Sequence, residues 1–169
     1  FRTETMATTI RFKPKQVTKR LLAVLPERAR DIVINRYGLG ANTERLTLEA
    51  IGGKYSITRE RVRQIENYAL TNIRKSGNYT KEKTVFEELE KSIQALGGVV
   101  VEQDLLNHLA KDKATQNHIH FILVIGESFK KKKEDDDFRH RWYINEELAE
   151  KVHSALKKFY SNLADDALV

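Results

Sequence analysis

Polar side chains that can hydrogen-bond to the edges of base pairs gather in the first half of one segment, just after Thr58. They are Arg59, Glu60, Arg63, Gln64 and Asn67. An arginine can donate two parallel N–H groups to guanine O6 and N7, a glutamine can pair with adenine, and a glutamate can accept from cytosine N4. These residue types indicate direct reading of double-stranded DNA.

The same segment has an apolar side that predicts a helix from the Thr58 cap to about Lys75. Its stripe is Val62, Ile65, Ala69 and Ile73, spaced by 3, 4 and 4 residues. A recognition helix has this design, because its first turns enter the major groove while its apolar side packs on the domain. The alternative is a solvated helix face with internal pairs such as Glu60 with Arg63 or Gln64 with Arg61. The capped turn before the helix and the basic surroundings favour DNA.

Shorter helices precede this segment and are expected to position it. Apolar residues at helical spacing predict a first helix that ends before Pro26. Pro26 fits the first turn of a second helix, and Gly38 ends that helix. Thr47 caps a third, brief helix, and Ser56-Ile57 makes the turn before Thr58. Two helices joined by so short a turn, after two supporting helices, predict a helix-turn-helix.

Charge is distributed unevenly along the 169 residues. Residues 1–78 contain 16 Lys/Arg and 7 Asp/Glu, whereas residues 79–169 contain 14 and 17, within a total of +6. A basic half joined to a mildly acidic half indicates that one end meets a polyanion.

The second half predicts a different, mixed unit. Helical stripes run through 85–96, 105–109 and 119–125, with a short β-prone run at Val99–Val101 and a helix from Glu146 onward. Residues 129–133 and 138–144 flank the polar turn 134–137 and predict a β-hairpin. We expect a mainly α protein: an arm (1–14), a helix-turn-helix domain (15–76), a linker (77–83), a winged-helix-like α+β domain (84–160) and a tail (161–169).

Several consecutive blocks resemble region 4 of bacterial housekeeping sigma factors. The blocks are Leu25–Asp31, Asn35–Leu39, Thr47–Gly52, Ile57–Glu66, Ala69-Leu70 and Ile73-Arg74. The resemblance covers about residues 15–76. The second half resembles, in the order of its elements, the HARE-type winged helix of the RNA polymerase delta subunit, which implies contact with DNA, polymerase or another regulator.

The region 4 resemblance implies recognition of a −35-type promoter element in the major groove. Matched position by position, the base-reading residues are Arg59, Glu60, Arg63 and Gln64. The phosphate-binding positions are Arg28, Thr47, the backbone near Leu48, Lys54 and Arg61. The sequence departs from the family after Gly52, where Gly53 replaces an expected basic residue and Lys54 follows.

Other kinds of site find little support in the sequence. There is no cysteine, no Gly-rich phosphate loop, no nucleophile–base pair and no paired carboxylates at catalytic spacing, so we expect no enzymatic activity and no cofactor. His118 and His120 stand two apart on a predicted helix and point away from each other, so with His108 they are expected to be core or surface histidines, not metal ligands. Trp142 and Tyr143 are expected to pack in the hairpin. Four acidic residues follow Lys130–Lys133, so we expect a solvated hairpin here in preference to a phosphate-binding wing.

These observations support a non-enzymatic, sequence-specific DNA-binding regulator of transcription, cytoplasmic and associated with the nucleoid, with no membrane or small-molecule substrate. Because no segment resembling the −10-binding domain is present, we expect a free-standing relative of region 4 or a fragment of something longer. Two alternatives remain open. The chain is a module that binds the β flap of RNA polymerase through an apolar groove, as a sigma competitor or accessory factor, or it is the DNA-targeting piece of a larger protein.

Overall fold

A computed structural model describes residues 10–132, 141–143 and 154–159. The first half forms an N-terminal lobe of helices α1 (Pro14–Leu22), α2 (Glu27–Tyr37), α3 (Leu48–Tyr55) and α4 (Arg59–Lys75). Local signals set these boundaries. The Thr47 and Thr58 hydroxyls accept hydrogen bonds from the Ala50 and Arg61 amides, each at 3.1 Å, and cap α3 and α4.

Gly38 ends α2 in the left-handed conformation, with φ of +65°. A Cβ at this position would lie 2.5 Å from the Thr43 carbonyl oxygen and 2.7 Å from Asn117 Nδ2. Both the backbone conformation and the close approach therefore require glycine here.

The second half contains the short helix α5 (Gly77–Lys81) and a C-terminal lobe. This lobe comprises α6 (Lys83–Ala95), β1 (Val99–Val101), α7 (Glu102–Leu109), α8 (Lys113–Ile125), β2 (Lys130–Lys132) and β3 (Arg141–Tyr143). The strands form an antiparallel sheet in the order β1-β3-β2, with Trp142 paired to Val100 and to Lys131. Three helices and a hairpin in this order confirm the winged-helix-like fold.

The two lobes share one hydrophobic core, and α8 lies at its centre. The helix contacts α1, α2 and α4 of the N-terminal lobe and α6 and α7 of its own. Nine of its thirteen residues are buried. Arg74, in the last turn of α4, donates to the Val124 and Ile125 carbonyls at 2.8 and 3.0 Å, and so satisfies carbonyls at the end of α8.

Some details differ from the sequence-based expectations. Pro26 is the N-cap of α2 and not its first helical residue, because its ψ of 156° is extended. The expected linker contains α5, whose first turn is capped by the Ser76 hydroxyl. Leu96, expected on the apolar stripe of α6, is the exposed C-cap of that helix.

Other expectations fall partly outside the described residues. These are the arm up to residue 9, the hairpin turn, most of the helix after Glu146 and the tail. Residues 154–159 are helical, as predicted. Among the helices of the described residues, none is long and apolar enough to cross a membrane.

Candidate DNA interface

A tight turn fixes the angle between α3 and α4. Ser56 adopts the left-handed conformation with φ of 56°, and the Ile57 amide donates to the Gly52 carbonyl at 2.9 Å. A Cβ on Gly52 would lie 2.6 Å from the Ile57 carbonyl oxygen. Any larger residue at Gly52 would push the turn away from α3 and change the angle at which α4 is presented.

A small apolar core holds α4 from behind. Ile32 of α2, Ile51 of α3 and Val62 of α4 are all fully buried and pack together. Ile65, on the same stripe, packs against both this cluster and the main core. The predicted apolar side of the helix is therefore confirmed, and the opposite side faces outward.

A buried polar contact fixes the rotation of α4 about its axis. Glu66 is only 9% exposed, and it accepts a 2.6 Å hydrogen bond from the Tyr37 hydroxyl. Arg36 Nε lies 3.5 Å from the other Glu66 oxygen, and Arg36 Nη1 donates to the Leu46 carbonyl at 3.0 Å. Burial, and after it the Glu66 charge, raises the pKa of Tyr37, so the phenol stays protonated and remains a donor.

The four candidate base-reading residues are exposed on the first half of α4. Arg59, Glu60 and Arg63 line one side of a cleft of about 550 Å³, which Thr47, Leu48 and Glu49 close from the start of α3. Gln64 lies outside this cleft, on the exposed side of α4 beside Arg61. The structure thus brings three of the four candidates together at the helix-turn-helix.

These side chains are paired with one another on the surface. Glu60 accepts from Arg63 Nε at 3.1 and 3.0 Å and also from Arg63 Nη2. Arg63 lowers the pKa of Glu60, chiefly by these hydrogen bonds, so the carboxylate is ionised and acceptor-only at neutral pH. Arg61 donates to Gln64 at 3.3 Å. Both pairs that the solvated-face alternative invoked are present.

Pairing of this kind does not block contact with DNA. The Arg63 and Glu60 side chains remain 52% and 56% exposed, and ion pairs so exposed to solvent contribute little to stability. A base edge can therefore replace or share these partners at small cost.

The candidate phosphate contacts lie at the two ends of α3 and in the first turns of α2 and α4. The Thr47 hydroxyl is an acceptor within α3, so its own proton is free to be donated. Leu48 begins α3, where the first backbone N–H groups have no partner within the helix. The exposed Arg28 guanidinium lies 5.8 Å from the centre of the Tyr55 ring. Lys54 and Arg61 are exposed, and a side chain at Gly53 would meet open space.

Sequence reasoning missed two residues of this cleft. Glu49 pairs with Arg59 at 3.3 Å, and Arg36 also lines the cleft. The signal for Glu49 was available, because an acidic residue just after an N-cap lies beside the groups that the cap serves. The signal for Arg36 was not, because its position depends on how α2 crosses α4.

The histidines of α8 and the tryptophan of β3 are buried. His118 and His120 are 7% and 6% exposed, and among the described residues no group of three His, Asp or Glu side chains is arranged to hold a metal. Trp142 is 3% exposed and donates to Glu102 at 3.0 Å, which confirms its packing role. Lys131 lies 3.0 Å from the same carboxylate.

Comparison with known proteins places the first half of the chain. Residues 21–75 match the family described as sigma-70, region 4. Region 4 is a family of DNA-binding, non-enzymatic domains. The resemblance deduced from the blocks within residues 15–76 is confirmed for this segment.

Curated relatives match the same part of the chain. The RNA polymerase sigma factor RpoS of Coxiella burnetii is 54% identical over 56 residues, or 33% of this chain and 16% of that protein. RNA polymerase sigma factor RpoD of Neisseria gonorrhoeae is 42% identical over 59 residues, covering 35% and 9%. The RNA polymerase sigma-B factor of a Nostoc species is 46% identical over 57 residues, covering 34% and 17%. The match therefore spans less than a fifth of each relative.

Proposed function

We propose that this protein binds a specific sequence of double-stranded DNA, of the −35 promoter type, and acts in transcription. In this proposal α4 enters the major groove with its first two turns. The proposal is supported most strongly by one observation: the polar front of α4 is exposed while its back is fixed by a dedicated core and by the buried Tyr37–Glu66 contact.

Each candidate residue takes a role that its chemistry supports. Arg59 and Arg63 donate to guanine O6 and N7, Gln64 pairs with adenine, and Glu60 accepts from cytosine N4. The Glu60–Arg63 pair holds Arg63 across the front of α4 before DNA arrives, so less side-chain freedom is lost on binding.

The phosphate contacts orient the domain on the duplex. The Thr47 hydroxyl and the Leu48 amide donate from the start of α3, and Arg28, Lys54 and Arg61 supply positive charge. Such contacts fix register and carry no sequence information. Gly53 stands where the family has a basic residue, and in this proposal Lys54 supplies the positive charge one position later.

Among the described residues of the second half, α8 is not available as a second DNA-reading helix. In a helix-turn-helix the second helix is the reader, and the corresponding helix after α7 is α8. Since α8 is enclosed by helices of both lobes, we assign DNA reading to α4 alone. The C-terminal lobe, which we take as a domain of residues 84–160, is left to contact a protein partner.

Binding to RNA polymerase is the second candidate, because each of the three relatives is named as a sigma factor of that enzyme. The competitor version of this hypothesis requires an open apolar groove on the region 4 segment. Within the described residues, α8 covers the apolar sides that α1, α2 and α4 turn away from the helix-turn-helix. A pull-down of polymerase core without promoter DNA separates this candidate from DNA binding.

Location in the bacterial cytoplasm, at the nucleoid, follows from the DNA-binding proposal.

The test is selection of bound duplexes from a random pool at a stated salt concentration, using the full chain. We expect enrichment of a motif similar to TTGACA. A pool that stays random after repeated rounds, with the protein folded, contradicts the proposal and favours the interaction module.

A further inference from the structure

A cleft of about 490 Å³ lies between the two lobes and shares no lining residue with the candidate DNA interface. Its walls come from α1, α2, the residue after Gly38, and α8 of the C-terminal lobe. The lining residues are Lys15, Thr18, Lys19, Leu22, Ala23, Arg30, Ile34, Leu39 and His118. Its volume falls within the range of small-molecule sites, which is roughly 300–1,000 Å³.

The inner wall of this cleft is apolar. Leu22, Ile34 and Leu39 supply it, and Leu22 and Leu39 are 6% and 9% exposed. Ala23, at the end of α1, lies at the rim and is exposed. An aliphatic or aromatic body of a ligand would be desolvated against this wall.

Two exposed lysines lie at the rim of the cleft. Lys15 and Lys19 lie one turn apart on α1, so their side chains share one face. In the part of the chain that the structure describes, neither forms an ion pair within 4 Å. Two other polar side chains of the cleft are already engaged: Arg30 donates to the Leu22 and Leu25 carbonyls at 3.3 and 2.8 Å, and the Thr18 hydroxyl donates to the Pro14 carbonyl at 2.9 Å.

The nearby titratable groups do not cancel this charge. Asp112 Oδ2 accepts hydrogen bonds from the Thr115 amide and hydroxyl at 2.9 and 2.8 Å as the cap of α8, and these bonds, followed by the Lys15 charge, lower the pKa of the carboxyl group. Burial, and after it the Lys15 charge, lowers the pKa of His118, which is therefore neutral at pH 7. The rim keeps a net positive charge.

We propose that this cleft binds a small organic anion, with one anionic headgroup held by Lys15 and Lys19 and an apolar body on the wall of Leu22, Ile34 and Leu39. The site is separate from the DNA interface and does not depend on it. Because His118 belongs to α8 and the other lining residues belong to the N-terminal lobe, an occupant touches both lobes and strengthens their contact.

The test is a fluorescence titration of the full chain with 8-anilinonaphthalene-1-sulfonate, an anion on an aromatic body. We expect saturable binding of one equivalent. The Lys15→Glu/Lys19→Glu variant should bind the probe at least tenfold more weakly. Ala23→Trp, which fills the rim without changing the charge, should weaken binding to a similar extent.

A matched control carries the same change of charge elsewhere. Lys75→Glu/Lys91→Glu alters two exposed lysines away from the cleft and should leave the affinity within twofold. Octanoate should displace the probe, whereas octylammonium should not. Circular dichroism confirms that each variant is folded. Wild-type protein that shows no saturable binding, or cleft variants that bind as tightly as the control, would overturn the proposal.

Discussion

Helices α4 and α8 occupy the same position in two similar units, yet one side of α4 is exposed whereas α8 is almost entirely buried. Each is the second helix of a closely spaced pair, α3–α4 or α7–α8. In α4 the buried residues keep to one stripe, whereas α8 buries nine of thirteen residues, including its polar ones. The comparison shows that α4 has the exposed face that a DNA-reading helix needs, whereas α8 does not.

The polar residues of the two helices illustrate the same difference. Asn117 of α8 donates to the Gly38 and Thr43 carbonyls at 3.0 and 2.8 Å and accepts from Arg45 at 3.0 Å. Every hydrogen-bonding atom of this amide group is therefore engaged within the protein. On α4, Arg63 and Gln64 form hydrogen bonds with Glu60 and Arg61, which are exposed side chains of the same helix.

The largest expected effect on stability comes from a substitution in the buried helix α8. Asn117→Ala leaves two carbonyls and Arg45 without their partner, and each unsatisfied buried group costs about 1–3 kcal/mol. We expect the free energy of unfolding in urea to fall by about 3 kcal/mol. Asn67→Ala, on the exposed side of α4, is the control and should change it by less than about 0.5 kcal/mol. Equal losses in both variants would show that the contact between lobes is not held by Asn117.

A substitution on the exposed side of α4 should affect DNA binding and leave stability nearly unchanged. Arg63→Ala should weaken binding to the preferred duplex by about 1–3 kcal/mol and relax the preference for one base pair. Unfolding in urea should be nearly unchanged, because the pair that Arg63 makes with Glu60 is exposed. The measurement is fluorescence anisotropy with a set of duplexes that differ by single base pairs. A uniform loss on every duplex would exclude direct reading by Arg63.

The contact that orients α4 should affect stability to an intermediate degree. Tyr37→Phe removes the donor to the buried Glu66 carboxylate, and we expect a loss of about 1–2 kcal/mol in urea. Tyr55→Phe offers a matched change at a less buried tyrosine. If the two substitutions cost the same, the Tyr37–Glu66 contact does not fix the helix in the way described.

Acid should destabilise the protein through the buried histidines of α8. Burial, followed by the charge of Arg45, lowers the pKa of His120 to about 3, so this ring is neutral when folded and takes up a proton on unfolding below pH 6.5. Its contribution to stability is present above that pH and is lost as the pH falls. One such histidine costs about 1 kcal/mol by pH 5.5.

Urea unfolding between pH 7 and 5.5 measures this effect, in a range where most carboxylates stay ionised. His120→Gln should flatten the dependence on pH, and His118, whose pKa is also lowered, accounts for part of the remainder. A slope unchanged by His120→Gln would contradict the assignment.

The smallest expected effect distinguishes a residue that contacts phosphate from one that contacts a base. Arg61→Ala should weaken all duplexes alike, because Arg61 is assigned to a phosphate. The slope of log affinity against log salt should become shallower by about 0.9. Anisotropy titrations at three salt concentrations give this slope, and an unchanged slope would place Arg61 away from the phosphates.

Local chemistry made much of the N-terminal lobe predictable. Caps such as Thr47, Thr58 and Gly38 act within a few residues of themselves, so the sequence reveals them directly. The 3, 4, 4 spacing of the α4 stripe identified its buried side for the same reason. The exposed front of α4, and with it the candidate base-reading residues, follows from that stripe.

Contacts between distant parts of the chain were not predictable in this way. Glu66 looks like a surface charge in sequence, and its burial depends on Tyr37, 29 residues earlier. The enclosure of α8 depends on the docking of two lobes, which no local pattern encodes. The cleft at Lys15 and His118 exists only because of that docking.

The most direct test of the central claim is the affinity of the full chain for a TTGACA duplex and for a scrambled duplex of the same composition. Both are measured by anisotropy at a single stated salt concentration, because the electrostatic part of binding is then equal. We predict that the TTGACA duplex binds at least tenfold more tightly. Equal affinity for the two duplexes would contradict sequence reading by α4.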